Sequence, residues 1–100
     1  MNVKTNIDQF TKVLIAERER QESLYGKENE MNSMSEYCTI LGEEYGEVCK
    51  ATYERKPAEL EKELIHVAAV AFAMWQRLQS QKPAEETIVD ERNQAKCSIA

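Results

Sequence analysis

Apolar residues along this chain recur at helical rather than strand spacing. Ile7, Phe10, Leu14 and Leu24 lie on one helical stripe, and Gly26 after Tyr25 reads as a stop. With Asn6 as the cap and Gln9 near the N3 place, a first helix is expected over residues 6–25. A polar stretch follows, and then Ser33-x-x-Glu36, a capping box in which each side chain can satisfy the other's free backbone N–H. Tyr37, Ile40, Leu41, Val48 and Ala51 form the stripe of a second helix, expected over 33–55. Pro57 suits the first position of a third helix, 57–80, and Pro83 ends the regular part. The polar tail 83–100 reads as a short surface helix or a partly disordered end. With no strand alternation and no internal repeat, the expectation is an all-α fold and a single domain over 1–100.

The third helix changes the picture. In LIHVAAVAFAMW, His66 is the only strongly polar residue. The run is too short for a bilayer, which needs about 20 apolar residues, so no membrane is expected. A helix apolar on all sides must be surrounded, which three helices of one chain can hardly do. The expectation is therefore a homo-oligomer, with helical hairpins from two subunits forming a four-helix-bundle core. The small residues Ala68, Ala69, Ala71 and Ala73 would allow close helix approach.

Composition narrows the classes. Thirteen basic against eighteen acidic residues give a net charge of −5, which disfavours phosphate backbones, so no nucleic acid is expected as partner. Cys38, Cys49 and Cys97 are odd in number and lack a C-x-x-C pairing, which argues against a disulfide framework or a cysteine zinc site. The opening MNVKTNIDQF lacks a basic-then-apolar leader pattern, and a reducing cytoplasm is the expected location.

Two carboxylate groups stand out by position. With Glu44 at zero on a wheel of about 100° per residue, Ala51 lies about 20° away, Ile40 and Val48 about 40° to either side, and Glu47 about 60° away. Glu44 thus sits inside the apolar stripe, where an ionised carboxylate is costly unless paired or bound to a metal. On the third helix Glu59, Glu63, His66 and Val70 fall within about 60° of one another, beside the apolar seam. Facing each other across a hairpin, the two clusters would form an oxygen-rich pocket suited to Mg²⁺, Mn²⁺ or Ca²⁺. Glu43, Glu54 and Glu61 read better as solvated faces. Acidic clusters bind the cations through which triphosphates are held, so a nucleotide substrate is conceivable. With one histidine and no Gly-rich phosphate loop, any phosphate chemistry must be metal-based.

Glu43-Glu44-Tyr45-Gly46-Glu47 followed by Glu63-Leu64-Ile65-His66 resembles the E-E-x-x-E … E-x-x-D signature of MazG-like nucleotide pyrophosphohydrolases, the all-α NTP pyrophosphatase superfamily. The flanks ERERQ at 17–21, LGEEYGEVCKA at 41–51 and ELIHVAAVAFAMW at 63–75 look like small single-domain members of that family, and the likeness covers roughly residues 10–80. The resemblance implies Mg²⁺-dependent hydrolysis of nucleoside triphosphates, often modified or deoxy forms, to monophosphate and pyrophosphate. It also implies a homodimer or homotetramer and a role in nucleotide-pool house-cleaning. It assigns catalysis and metal binding to Glu44, Glu47 and Glu63, with Glu43 flanking. Where the family has Asp this chain has His66, either a softer ligand in the metal set, a phosphate binder, a hydrogen-bonded histidine beside the core, or a residue that leaves coordination to Glu59 or water. Imidazole at that place makes Mn²⁺ a possible alternative to Mg²⁺. The implied mechanism is attack of a metal-activated water on the α-phosphorus. Arg18, Arg20, Lys50, Arg55 and Lys56 are the candidates for gripping phosphates, and Gln21, Tyr25, Tyr53 and Trp75 for reading a base.

Two rivals come from other classes. Glu63-x-x-His66 with Glu44 is half of a di-iron or di-manganese carboxylate site, a scheme in which Glu47 has no place. A non-catalytic helical dimer that binds a protein partner would explain the apolar third helix but not Glu44.

Overall fold

The computed structural model describes residues 2–81, and of residues 28–31 the backbone alone. The expected tail 83–100, with Cys97, lies outside the described residues. Among the described residues the protein is all-helical: α1 (Val3–Met31), α2 (Met34–Tyr53) and α3 (Pro57–Gln81).

Helix α1 begins earlier and ends later than its apolar spacing predicts. Its cap is Asn2 rather than Asn6: Asn2 Oδ1 accepts from the Thr5 N–H at 2.8 Å. Gly26 does not stop the helix, because it does not take the positive φ through which glycine terminates helices. The break is at Tyr25 instead (φ −130°, ψ 19°), where the helix kinks and then continues to Met31.

The start of α2 follows its local chemistry. Ser33 Oγ accepts from Glu36 N and Glu36 Oε1 accepts from Ser33 N, both at 3.1 Å, completing the capping box. Its end comes two residues before the expected boundary. Arg55 sits at φ 55°, and the N–H groups of Arg55 and Lys56 donate to the carbonyls of Thr52 and Ala51 at 3.2 and 3.0 Å. This is a Schellman stop with arginine at the place glycine usually takes. Pro57 then opens α3, so only three residues separate the two helices.

Helices α2 and α3 therefore fold back as a hairpin. Tyr37 near the start of α2 packs with Val70 and Ala73 late in α3, supported by Met34, Ile40, Leu41 and Met74. Arg77 Nη1 donates to the Asn32 carbonyl at 2.6 Å and ties α3 to the α1–α2 turn. Helix α1 packs on α3 more lightly than α2 does. Among the described residues the buried hydrophobic ones are Tyr37, Ala51, Ala69, Val70 and Ala73, a small set dominated by alanine. Much apolar surface stays outside: Ile7, Phe10 and Val13 on α1, and Leu64, Phe72, Trp75 and Leu78 on α3, are exposed. No helix among the described residues is long and apolar enough to cross a membrane.

Candidate functional site

The hairpin register sets the site. Glu44 lies midway along α2, and Glu63 and His66, one turn apart, lie on the facing part of α3. Donor atoms of these three side chains all lie within 4.8 Å of one another. His66 Nδ1 is 3.2 Å from Glu63 Oε2 and 3.4 Å from Glu44 Oε2. Its other nitrogen, Nε2, is 3.8 Å from Glu17 Oε2 on α1. One imidazole thus stands between carboxylates from all three helices.

The electrostatics follow from burial and neighbours. Burial is the main cause that pushes the Glu44 carboxyl above the usual carboxylate range, and the adjacent Glu63 carboxylate adds to it while His66 opposes it. Glu44 Oε2 is buried without a hydrogen bond. The Glu17 carboxyl moves the opposite way, held low chiefly by its hydrogen bonds with Arg20 against the effect of burial, with Gln21 adding to the lowering. Arg20 donates to Glu17 through Nε at 2.9 Å and Nη2 at 2.8 Å, and Gln21 Nε2 donates at 2.9 Å.

Two carboxylates and an imidazole fit a small divalent cation. Ligands about 2.1 Å from one octahedral ion lie about 3–4 Å apart, close to the observed spread. A cation would also satisfy the orphaned Glu44 oxygen, which protein groups leave unbonded.

Beside this cluster is a cavity of about 350 Å³, with Glu44 and His66 in its wall. Arg18, Gln21 and Tyr25 of α1 also line it, as do Asn32 and Tyr37. Arg18 donates from Nη1 to Gln21 Oε1 and from Nη2 to Glu22 Oε1, both at 2.8 Å, and stacks 5.9 Å from the Phe72 ring centre. Its Nε is buried without an acceptor.

The remaining candidates lie elsewhere. Glu43, Glu47 and Glu59 are exposed and outside the Glu44–Glu63–His66 grouping. Lys50 is exposed, and Trp75 is 56% exposed, stacked on Phe72 at 5.8 Å; neither lines the cavity. Tyr53 is exposed near the hairpin turn, where Lys56 pairs with Glu54 at 3.2 Å. Glu17 is absent from the candidates that the pattern of α2 and α3 singles out. The signal that finds it is the one that marks Glu44: Phe10 and Leu24, seven residues to either side, lie within about 20° of Glu17 on the helical wheel. Asn32 carries no comparable signal, since it stands in a turn. No protein-family model, curated protein or solved structure matches this chain.

Proposed function

We propose that the protein is a metal-dependent nucleoside triphosphate pyrophosphohydrolase, releasing a monophosphate and pyrophosphate. The observation that carries this reading is the meeting of Glu44, Glu63 and His66 beside a cavity that Glu44 and His66 line and that is large enough for a nucleotide's reacting end. The resemblance of residues 43–47 and 63–66 to the MazG-like signature supplies the reaction class.

In this reading Glu44, Glu63 and His66 would hold Mg²⁺ or Mn²⁺, with Glu47, exposed one turn beyond Glu44, as the further carboxylate of the set and Glu43 flanking. When bound there, the cation supplies Lewis acidity and neutralises charge on the triphosphate. The buried, unbonded Nε of Arg18 faces a shortage of acceptors that a phosphate oxygen would relieve. Tyr25 stands further along the same helix, where an aromatic face suits a base, and Gln21 lines the same wall with its amide engaged by Arg18 and Glu17. Lys50 and Trp75 take part only if a second subunit brings them to a site. The exposed apolar faces of α1 and α3 favour a homodimer or homotetramer, with hairpins of two copies closing a four-helix core.

The test is a screen of nucleoside and deoxynucleoside triphosphates with Mg²⁺ or Mn²⁺, the products separated by chromatography. Monophosphate with pyrophosphate is the expected outcome. Diphosphate with orthophosphate, or no turnover of any nucleotide, overturns the reading.

A further inference from the structure

The two nitrogens of His66 face different helices. Nδ1 makes a hydrogen bond with Glu63 at 3.2 Å and lies 3.4 Å from Glu44, and Nε2 is 3.8 Å from Glu17 Oε2 on α1. Glu17 is not an ordinary surface ion pair. Its partner Arg20 is 51% exposed, whereas the Glu17 side chain is 11% exposed and turned inward. Arg20 and Gln21 together make three hydrogen bonds that fix this carboxylate, one to Oε1 and two to Oε2, the oxygen nearest the ring.

A histidine that binds a metal through one nitrogen keeps its proton on the other. That N–H characteristically donates to a carboxylate, a carbonyl or a water, which fixes the tautomer, orients the ring and raises its basicity. We propose that Glu17 is the positioning residue for His66: its carboxylate receives the Nε2–H and so presents an unprotonated Nδ1 to the cation shared with Glu44 and Glu63. The proposal rests on the metal-dependent reading given above. It requires the 3.8 Å contact, longer than a hydrogen bond, to shorten when Nδ1 exchanges Glu63 for a cation. It also gives a reason for a third helix at the site. A carboxylate ligand has no tautomer to fix, whereas an imidazole at position 66 needs an acceptor behind it, and α1 supplies one.

The experiment uses the full chain and measures Mn²⁺ affinity by calorimetry for the wild type, Glu17→Gln, His66→Asp and the double variant, with circular-dichroism melting of each. Glu17→Gln should bind Mn²⁺ about 10- to 100-fold more weakly. Added to His66→Asp, the same change should alter affinity by no more than about twofold, because no ring remains to be positioned. A second readout does not depend on any variant folding. His66 is the sole histidine, so its ¹⁵N ring resonances are unambiguous, and with Zn²⁺ bound to the wild type the proton should sit on Nε2. Unchanged affinity in Glu17→Gln, an equal loss in both backgrounds, or a proton on Nδ1 in the Zn²⁺ form overturns the role of Glu17 and leaves the metal reading standing. A wild type that neither binds Mn²⁺ nor shifts its imidazole resonances with Zn²⁺ overturns the metal reading, and this proposal with it.

Discussion

At Glu44, two demands on one side chain conflict. Placed on the core side of α2 with an unbonded buried oxygen, it is costly to ionise without a cation. Its carboxyl is therefore raised above the usual carboxylate range, so the folded chain holds this proton more tightly than the unfolded chain does. For a raised group the stabilising contribution is complete below the unfolded value and is lost as pH climbs through the folded one. Glu44→Gln should thus melt at or above the wild-type temperature at neutral pH without metal, and the gain should shrink as the pH falls through the carboxylate range. The same variant should lose at least about 100-fold in metal-dependent activity, as the loss of a direct ligand should exceed the usual outer-shell effect. A large drop in melting temperature would instead mark Glu44 as part of a structural ion pair. His66 supports a second prediction at this scale. Imidazole favours Mn²⁺ over Mg²⁺, so His66→Asp should move the activity ratio toward Mg²⁺. An unchanged ratio excludes ligation by the ring.

Among the elements, the stop of α2 is the least regular. Arg55 holds a left-handed backbone conformation that costs a residue with a Cβ about 1–2 kcal/mol, and glycine much less. Arg55→Gly should therefore raise stability in urea by up to about 1 kcal/mol, offset in part by the greater freedom of glycine in the unfolded chain. No change in activity is expected, because the turn lies away from the Glu44–Glu63–His66 grouping. A destabilised variant would mean that the arginine side chain contributes more than its backbone costs. At the opposite end of the helix, Ser33→Ala removes one half of a complete capping box and should lower stability by about 1 kcal/mol, read from the same urea transition.

For the whole molecule, the exposed apolar side of α3 is where the proposed assembly is tested. Ala69 and Ala73 are buried within the single chain, so a charge at either would disrupt the protomer itself rather than report on assembly. Trp75 and Leu78 point outward, 56% and 45% exposed, and are the informative positions. Trp75→Glu or Leu78→Glu should leave the helical circular-dichroism signal in place while reducing the mass found by light scattering to that of one chain. If subunits share a site, activity falls with it. A wild type that is fully active as a monomer refutes both the shared core and the shared site.

Several features were legible along the chain because they depend on neighbours in sequence. Helical spacing, the Ser33–Glu36 box and Pro57 at the first turn mark three helices, since the groups that satisfy each other are within four residues. Glu44 was visible as a carboxylate in an apolar stripe for the same reason. Boundaries governed by backbone dihedrals were not: Gly26 invites a stop that it does not make, and Arg55 makes one without being glycine. Across the hairpin, the meeting of Glu44 with Glu63 and His66 follows from the faces those residues occupy, but what α1 adds was hidden. Glu17, Arg18 and Gln21 join Glu44 and His66 around one cavity only because α1 lies across the hairpin. Helical periodicity states which face a residue occupies, and contacts between faces depend on how helices cross. That crossing is decided by the packing of whole side-chain surfaces, and no local pattern encodes it.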